Sequence, residues 1–335
     1  MAPYWSLARG RARQCAPGFM ASAVVAAAAT FLSEHYKAPV MLFALLLGMA
    51  MGFLATEGQC KPGIEFTARE ILRLGVALLG MRITFSQIAA LGWQPVVLVL
   101  LSVVITILAA MVVARAMGFQ TLFGLLTGGA TAICGASAAL ALSASLPAHP
   151  GKEKATLFTV IGVSALSTLA MIVYPMVVSA LHLSPSEAGV FLGGTIHDVA
   201  QVVGAGYGMS QETGDTATVV KLMRVAMLLP VIAFASLVTR LRGAQDDGKR
   251  PPILPWFAVG FVLLAALNST GWVAAAVQGG ANELSRWCLV IAISALGMKT
   301  QLKELATVGI KPIVLMVGET VFLAGLVLLM MRTGL

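Results

Sequence analysis

Charge is what this sequence most lacks. Only 11% of its 335 residues are Asp, Glu, Lys or Arg, while 59% are hydrophobic. A soluble domain carries about 25% charged residues because it must present a polar surface to water. With a mean hydropathy of +0.91, this chain has lipid as part of its solvent, and a water-soluble globule is excluded. Metal and disulfide patterns are missing as well. Cys15, Cys60, Cys134 and Cys288 stand far apart, without ligand or bridge spacing. Enzyme signatures are absent: no HExxH, no Walker loop, no dinucleotide fingerprint. Gly135-Ala136-Ser137-Ala138 lacks the strand–turn–helix setting of a nucleophile elbow. The expectation is therefore no enzyme, no cofactor and no bound metal.

The net charge of +8 does not point to nucleic acid, because no basic stripe with interleaved aromatics exists. Basic residues sit instead in the short breaks between apolar runs. About 20 apolar residues cross a bilayer core of about 30 Å. Spans are expected near 17–34, 38–56, 70–91, 95–117, 121–146, 155–181, 186–208, 217–240, 254–273, 284–302 and 311–332. The fold class is all-α: a polytopic membrane bundle of ten or eleven helices. Residues 1–16 form a cytoplasmic N-terminal segment and residues 17–335 one transmembrane domain. Arg9, Arg11 and Arg13 before Phe19–Leu32 resemble a signal peptide, but a retained first helix suits the many spans that follow. Inside loops then hold Lys61, Arg69, Arg73, Arg240, Arg242, Lys249, Arg250, Lys303 and Lys311, among others. Outside loops hold fewer, including Lys37, Lys152 and Lys154, so the N-terminus faces the cytoplasm and the C-terminus the exterior. Gly243–Pro252 is the longest polar linker.

An internal repeat sets the architecture. Leu79-Gly80-Met81-Arg82 returns as Leu296-Gly297-Met298-Lys299. The same shift pairs Ala89 with Ala306, Gly92 with Gly309, Pro95 with Pro312, Val97 with Val314 and Leu98 with Leu315. Glycine and proline are positional residues, so their recurrence points to duplication of 70–117 as 284–332. An odd number of crossings separates the copies, which makes the repeat inverted, as in many secondary transporters.

Two spans carry glycine where a helix is weakest. One holds Gly128, Gly129, Cys134, Gly135 and Ser137. The other holds Gly193, Gly194, Thr195, His197, Asp198 and Gln201. Glycine costs about 1 kcal/mol in a helix interior, so both spans are expected to break. A half-helix N-terminus inside the membrane then offers N–H donors to an anion. The competing explanation is close helix packing through small residues. An acid at mid-span costs about 2.5–3.5 kcal/mol on insertion scales, so Asp198 and His197 mark a pathway, a proton relay or a polar lock between helices. Lys221 and Arg224, three apart, share a helix face. They either neutralise an anion or snorkel to the interface. Glu319 sits mid-span where the other copy has Ser102, and it either binds a coupling ion or pairs with a base.

Leu79–Arg82, Ile133–Ala138, Gly193–Val203, Val220–Arg224 and Leu296–Lys299 together resemble the YeiH-type sulfate exporter family of bacterial membrane proteins, over nearly the whole chain from about residue 17. The resemblance implies a bacterial inner-membrane carrier with kinship to inverted-repeat carriers of the bile acid and arsenite type. The expected function is export of sulfate or a related small inorganic or sulfonate-type anion. Gly128, Gly129, Cys134, Gly135, Ser137, Gly193, Gly194, Thr195, His197, Gln201, Lys221 and Arg224 are the candidate substrate residues. Asp198, His197 and Glu319 are the candidates for coupling to H⁺ or Na⁺. Lipid is the surrounding partner, nucleic acid is not expected, and a homodimer is compatible with this reading. Two other readings stay open: a cation/proton antiporter using Asp198, and a membrane scaffold that transports nothing.

Overall fold

A computed structural model describes residues 2–36, 40–56, 58–146, 151–241, 256–300 and 310–334. Lys37, the linker Gly243–Pro252 with Arg242, and Lys303, Ala306 and Gly309 lie outside the described residues. Among the described residues the chain is helical and has no strand. In order come α1 (Ala2–Tyr36), α2 (Val40–Ala50), the short α3 (Phe53–Thr56) and α4 (Lys61–Phe66), a π turn (Thr67–Ile71), α5 (Leu72–Leu78), a 3₁₀ turn (Leu79–Met81) and α6 (Phe85–Ala90). Then follow α7 (Gln94–Ala116), α8 (Thr121–Ala132), α9 (Ala136–Ser145), α10 (Lys152–Ala180), α11 (Pro185–Thr195), α12 (Val199–Met209), α13 (Gln211–Ala226) and α14 (Leu228–Leu241). Last are α15 (Trp256–Ser269), α16 (Ala275–Lys299) and α17 (Ile310–Arg332).

Five stretches are long and apolar enough to cross a membrane: Arg13–Tyr36, Gln94–Ala116, Lys154–Ala180, Gln211–Ala235 and Ile310–Arg332. Each coincides with an expected span. The other expected spans fall on shorter or interrupted helices, or, for 284–302, on α16, which carries Glu283, Arg286 and Lys299. Residues 2–16 of the expected N-terminal segment belong to helix α1, which runs on to Tyr36. On α7, the exposed Leu100, Leu101, Val104, Leu108 and Val112 are as apolar as the buried Leu98, Val99, Val103 and Ile107. A helix apolar all round has lipid on its outer face. Trp93 and Trp256, at helix starts, and Trp272, between α15 and α16, are exposed, as interfacial tryptophans are.

The chain forms two compact units, Met1–Ile88 with Trp256–Gln301, and Ala89–Pro255 with Leu302–Leu335. Each draws one piece from each repeat copy. In the first unit, a Cβ on Gly80 would lie 2.2 Å from Phe261 O of α15, and one on Gly297 would lie 2.3 Å from Leu45 O of α2. The shift that carries Gly80 onto Gly297 carries Ala44, beside Leu45, onto Phe261. Each copy's glycine therefore presses on the helix that precedes the other copy's glycine. Such reciprocal contact is the mark of a two-fold relation, and it supports the reading of the repeat as a duplication. Val25, Ile64, Ala68, Ala295 and Met298 complete this unit's packing, with Leu47, Leu54 and Cys60 against them.

The second unit contains both repeat helices α7 and α17, packed on each other. α8 packs on α7, and α11 packs on α13 and α17. A Cβ at Gly128 would meet Ala110 Cβ at 2.4 Å, and one at Gly193 would meet Ala217 O at 2.5 Å. These two glycines let α8 approach α7 and α11 approach α13.

Candidate functional site

Both glycine-rich spans break, and they break beside each other within the second unit. α8 stops at Ala132, and Ile133-Cys134-Gly135 leads into α9. Gly135 takes φ +64 and ψ −131, a positive-φ conformation that any Cβ disfavours. α11 stops at Thr195, and Ile196-His197-Asp198 leads into α12, with extended backbone at Ile196 and Asp198. A Cβ at Gly135 would sit 3.6 Å from the His197 carbonyl and 3.7 Å from Asp198 Cβ. The two breaks are thus in contact.

Each break frees carbonyls at the end of one half-helix and N–H groups at the start of the next. The carbonyls are covered by α13. Lys221 Nζ donates to Ile133 O at 2.7 Å, to Ile196 O at 3.0 Å and to His197 O. An ammonium has three donors, and all three are engaged. Arg224 Nε donates to Ala132 O at 2.8 Å, Nη1 to Gly193 O and Ile196 O at 3.0 Å each, and Nη2 to Thr131 O at 2.9 Å. Both side chains are completely buried, so neither snorkels. A helix C-terminus carries about half a negative elementary charge, and two of them meet here. Lys221 and Arg224 neutralise those ends and tie the breaks into one body.

The opposite ends are treated differently. α11 opens with a complete capping box: Ser184 Oγ accepts from Glu187 N–H, and Ser184 N–H donates to the Glu187 carboxylate. α13 opens with Ser210 Oγ accepting from Thr213 N–H. α12 has the residues for such a box, Asp198 at the cap and Gln201 three on, yet no side chain caps it. The Asp198 amide goes instead to Ser167 Oγ of α10 at 3.0 Å. Gln201 Nε2 donates to Thr168 Oγ1 at 3.4 Å, and Gln201 Oε1 is buried without a partner. α9 follows Gly135, which has no side chain to cap with, and the Cys134 thiol takes the Ala138 N–H of its first turn. Asp198 and Ala136 are partly exposed and Ser137 is exposed, so both starts adjoin accessible surface.

Behind the breaks lies a polar seam. The Glu319 carboxylate, 5% exposed, accepts from Thr127 Oγ1 at 2.7 Å and Thr131 Oγ1 at 3.2 Å. No cation lies within ion-pair distance of it among the described residues. His197 Nδ1 is 3.0 Å from Thr131 O, and Nε2 is 3.0 Å from Thr320 Oγ1. A carbonyl only accepts, so Nδ1 carries a hydrogen towards Thr131 O, while the Thr320 hydroxyl beside Nε2 directs its one proton to Met316 O at 2.8 Å. Histidine thereby joins the second break to α8 and α17.

The structure gathers Cys134, Gly135, Ser137, His197, Asp198, Gln201, Lys221 and Arg224 around the crossing. Gly128, Gly129, Gly193 and Gly194 lie on the half-helices ahead of it, where three of them face neighbouring helices closer than 3 Å. Thr195 Oγ1 turns back to Phe191 O at 2.6 Å. Sequence reasoning missed Thr127, Thr131, Ser167, Thr168 and Thr320. A signal existed: Thr127 and Thr131 are four apart on one helix face, and Ser167-Thr168 interrupts an apolar run.

The family model described as "Conserved hypothetical protein 698" matches residues 17–316. The UPF0324 membrane protein CT0845 of Chlorobaculum tepidum is 57% identical over 315 residues, 93% of this chain and 88% of that protein. The UPF0324 membrane protein TauZ of Paracoccus denitrificans is 55% identical over 319 residues, 94% of each. The UPF0324 membrane protein RB0971 of Rhizobium meliloti is 50% identical over 314 residues, covering 93% of this chain and 91% of its own length.

Proposed function

Because this multi-pass membrane protein belongs to the UPF0324 membrane protein family, we propose that it is a secondary carrier of a small anion, sulfate or a related sulfur-containing species. The anion is held by the N–H groups that open α9 and α12. One observation carries this reading: α12 has no side-chain cap hydrogen bond at its start, whereas Ser184 and Ser210 cap α11 and α13. An uncapped half-helix start is an anion site formed by backbone alone. Lys221 and Arg224 are positioning residues here. Their donors hold the half-helices α8 and α11 in place, and their charge adds to the positive field at the crossing.

Coupling is assigned to Glu319 and Asp198. A buried carboxylate with two threonine donors and, among the described residues, no cation in ion-pair reach is costly to keep charged, which suits a proton that comes and goes with the cargo. His197, donating to the Thr131 carbonyl and bonded to the Thr320 hydroxyl, transmits position between α11 and α17. The proposed setting is the bacterial inner membrane, with the N-terminus cytoplasmic and the C-terminus outside.

The test is flux in proteoliposomes under imposed pH and Na⁺ gradients. Sulfate efflux is expected to follow the pH gradient in the wild type and to lose that dependence in Glu319→Gln, with the protein still folded. Cation exchange without anion flux, abolished by Asp198→Asn, would establish the antiporter reading instead. Absence of both fluxes would leave a scaffold.

A further inference from the structure

Among the described residues at the crossing, Gln201 has a buried side-chain atom without a hydrogen-bond partner. It lies in the first turn of α12 and is 2% exposed. Its amide orientation is determined by its neighbour. Thr168 Oγ1 donates its single proton to Ser164 O at 3.1 Å, so towards Gln201 that oxygen can only accept. Nε2 therefore faces Thr168, and Oε1 is the atom left without a donor. An unmade hydrogen bond on a buried acceptor is expensive. It persists where a ligand completes it.

The first turn of α12 thus combines backbone N–H donors with one buried side-chain acceptor. Bare sulfate satisfies the donors, but it brings only lone pairs to Oε1. We propose that Gln201 is a specificity-determining residue that selects an anion carrying its own O–H or N–H group, such as a hydroxy- or amino-substituted sulfonate or a hydrogen-bearing oxyanion, over bare sulfate. This rests on the anion site proposed above. A site built to pair a ligand hydrogen rejects the analogue lacking it far more strongly than a hydrophobic pocket rejects a missing methylene.

Calorimetric titration of the purified full chain in detergent tests it with two matched pairs. The pairs are 2-hydroxyethanesulfonate against propane-1-sulfonate, and hydrogen phosphate against sulfate. The donor-bearing member is expected to bind at least about tenfold more tightly to the wild type, which corresponds to one good hydrogen bond. Gln201→Met is expected to bring both ratios to within about twofold. Thr168→Val, which frees the amide to turn Nε2 towards the ligand, is expected to improve sulfate binding specifically. Equal affinities in the wild type, or a preference that survives Gln201→Met in folded protein, overturn the selectivity while leaving the anion site standing. No binding of any of the four anions overturns both.

Discussion

Removing Arg224 separates a structural role from a ligand contact. Its guanidinium serves four carbonyls, Thr131, Ala132, Gly193 and Ile196, on two half-helices. Arg224→Met fills much of the volume and supplies no donor. Each charged hydrogen bond contributes about 1.5–3 kcal/mol net, and an orphaned buried carbonyl costs about 1–3. Four such losses do not simply add, because the removed cation no longer needs burial. Deleting one member of a buried charged arrangement destabilises by about 3–5 kcal/mol. Arg224→Lys keeps the charge but not the fork, and should recover about half of that loss. One kcal/mol moves Tm by about 2–4 °C in domains of 150–250 residues and by less in longer ones. Melting in detergent without added anion is therefore expected to fall by roughly 5–10 °C in Arg224→Met, with Arg224→Lys between it and the wild type. An Arg224→Met protein that melts with the wild type, yet binds anion far more weakly, would refute the capping role and make Arg224 a ligand contact.

Gly135→Ala isolates backbone conformation from space. Its new Cβ would find only ordinary contacts at 3.6–3.7 Å, so the cost is the positive φ, about 1–3 kcal/mol, read as a lower Tm together with weaker anion binding. Gly297→Val tests the duplicated packing in the other unit. Its branched side chain would drive into Leu45 O, 2.3 Å from the Cβ position, and the loss should be severe in Tm, whereas Gly318→Val, with open space around it, should be near neutral.

Much of the fold was legible without coordinates because the signals are intrinsic to the chain. Low charge and long apolar runs demand lipid whatever the topology. Gly80 and Gly297, and Pro95 and Pro312, recur in register because such residues answer backbone requirements that duplicated structure repeats. The breaks at Gly135 and at His197-Asp198 were marked by residues poorly suited to a continuous apolar helix. The relation of side chains across helices was not legible. Lys221 and Arg224 read equally well as anion ligands or interfacial anchors, since spacing shows that two cations share a face and not what that face meets. Thr127, Thr131 and Thr168 look like any hydroxyls tolerated in a membrane helix. Only the packing of α8 on α17 and of α10 on α12 gives them Glu319 and Gln201 as partners.

Local chemistry, written into single stretches of sequence, determined that this protein lives in a bilayer and interrupts two helices. The tertiary structure decided which ends of those helices are neutralised and which are left open, because a hydrogen bond needs its two atoms within about 3 Å, and Arg224 is brought to Ala132 only when α13 folds across both breaks.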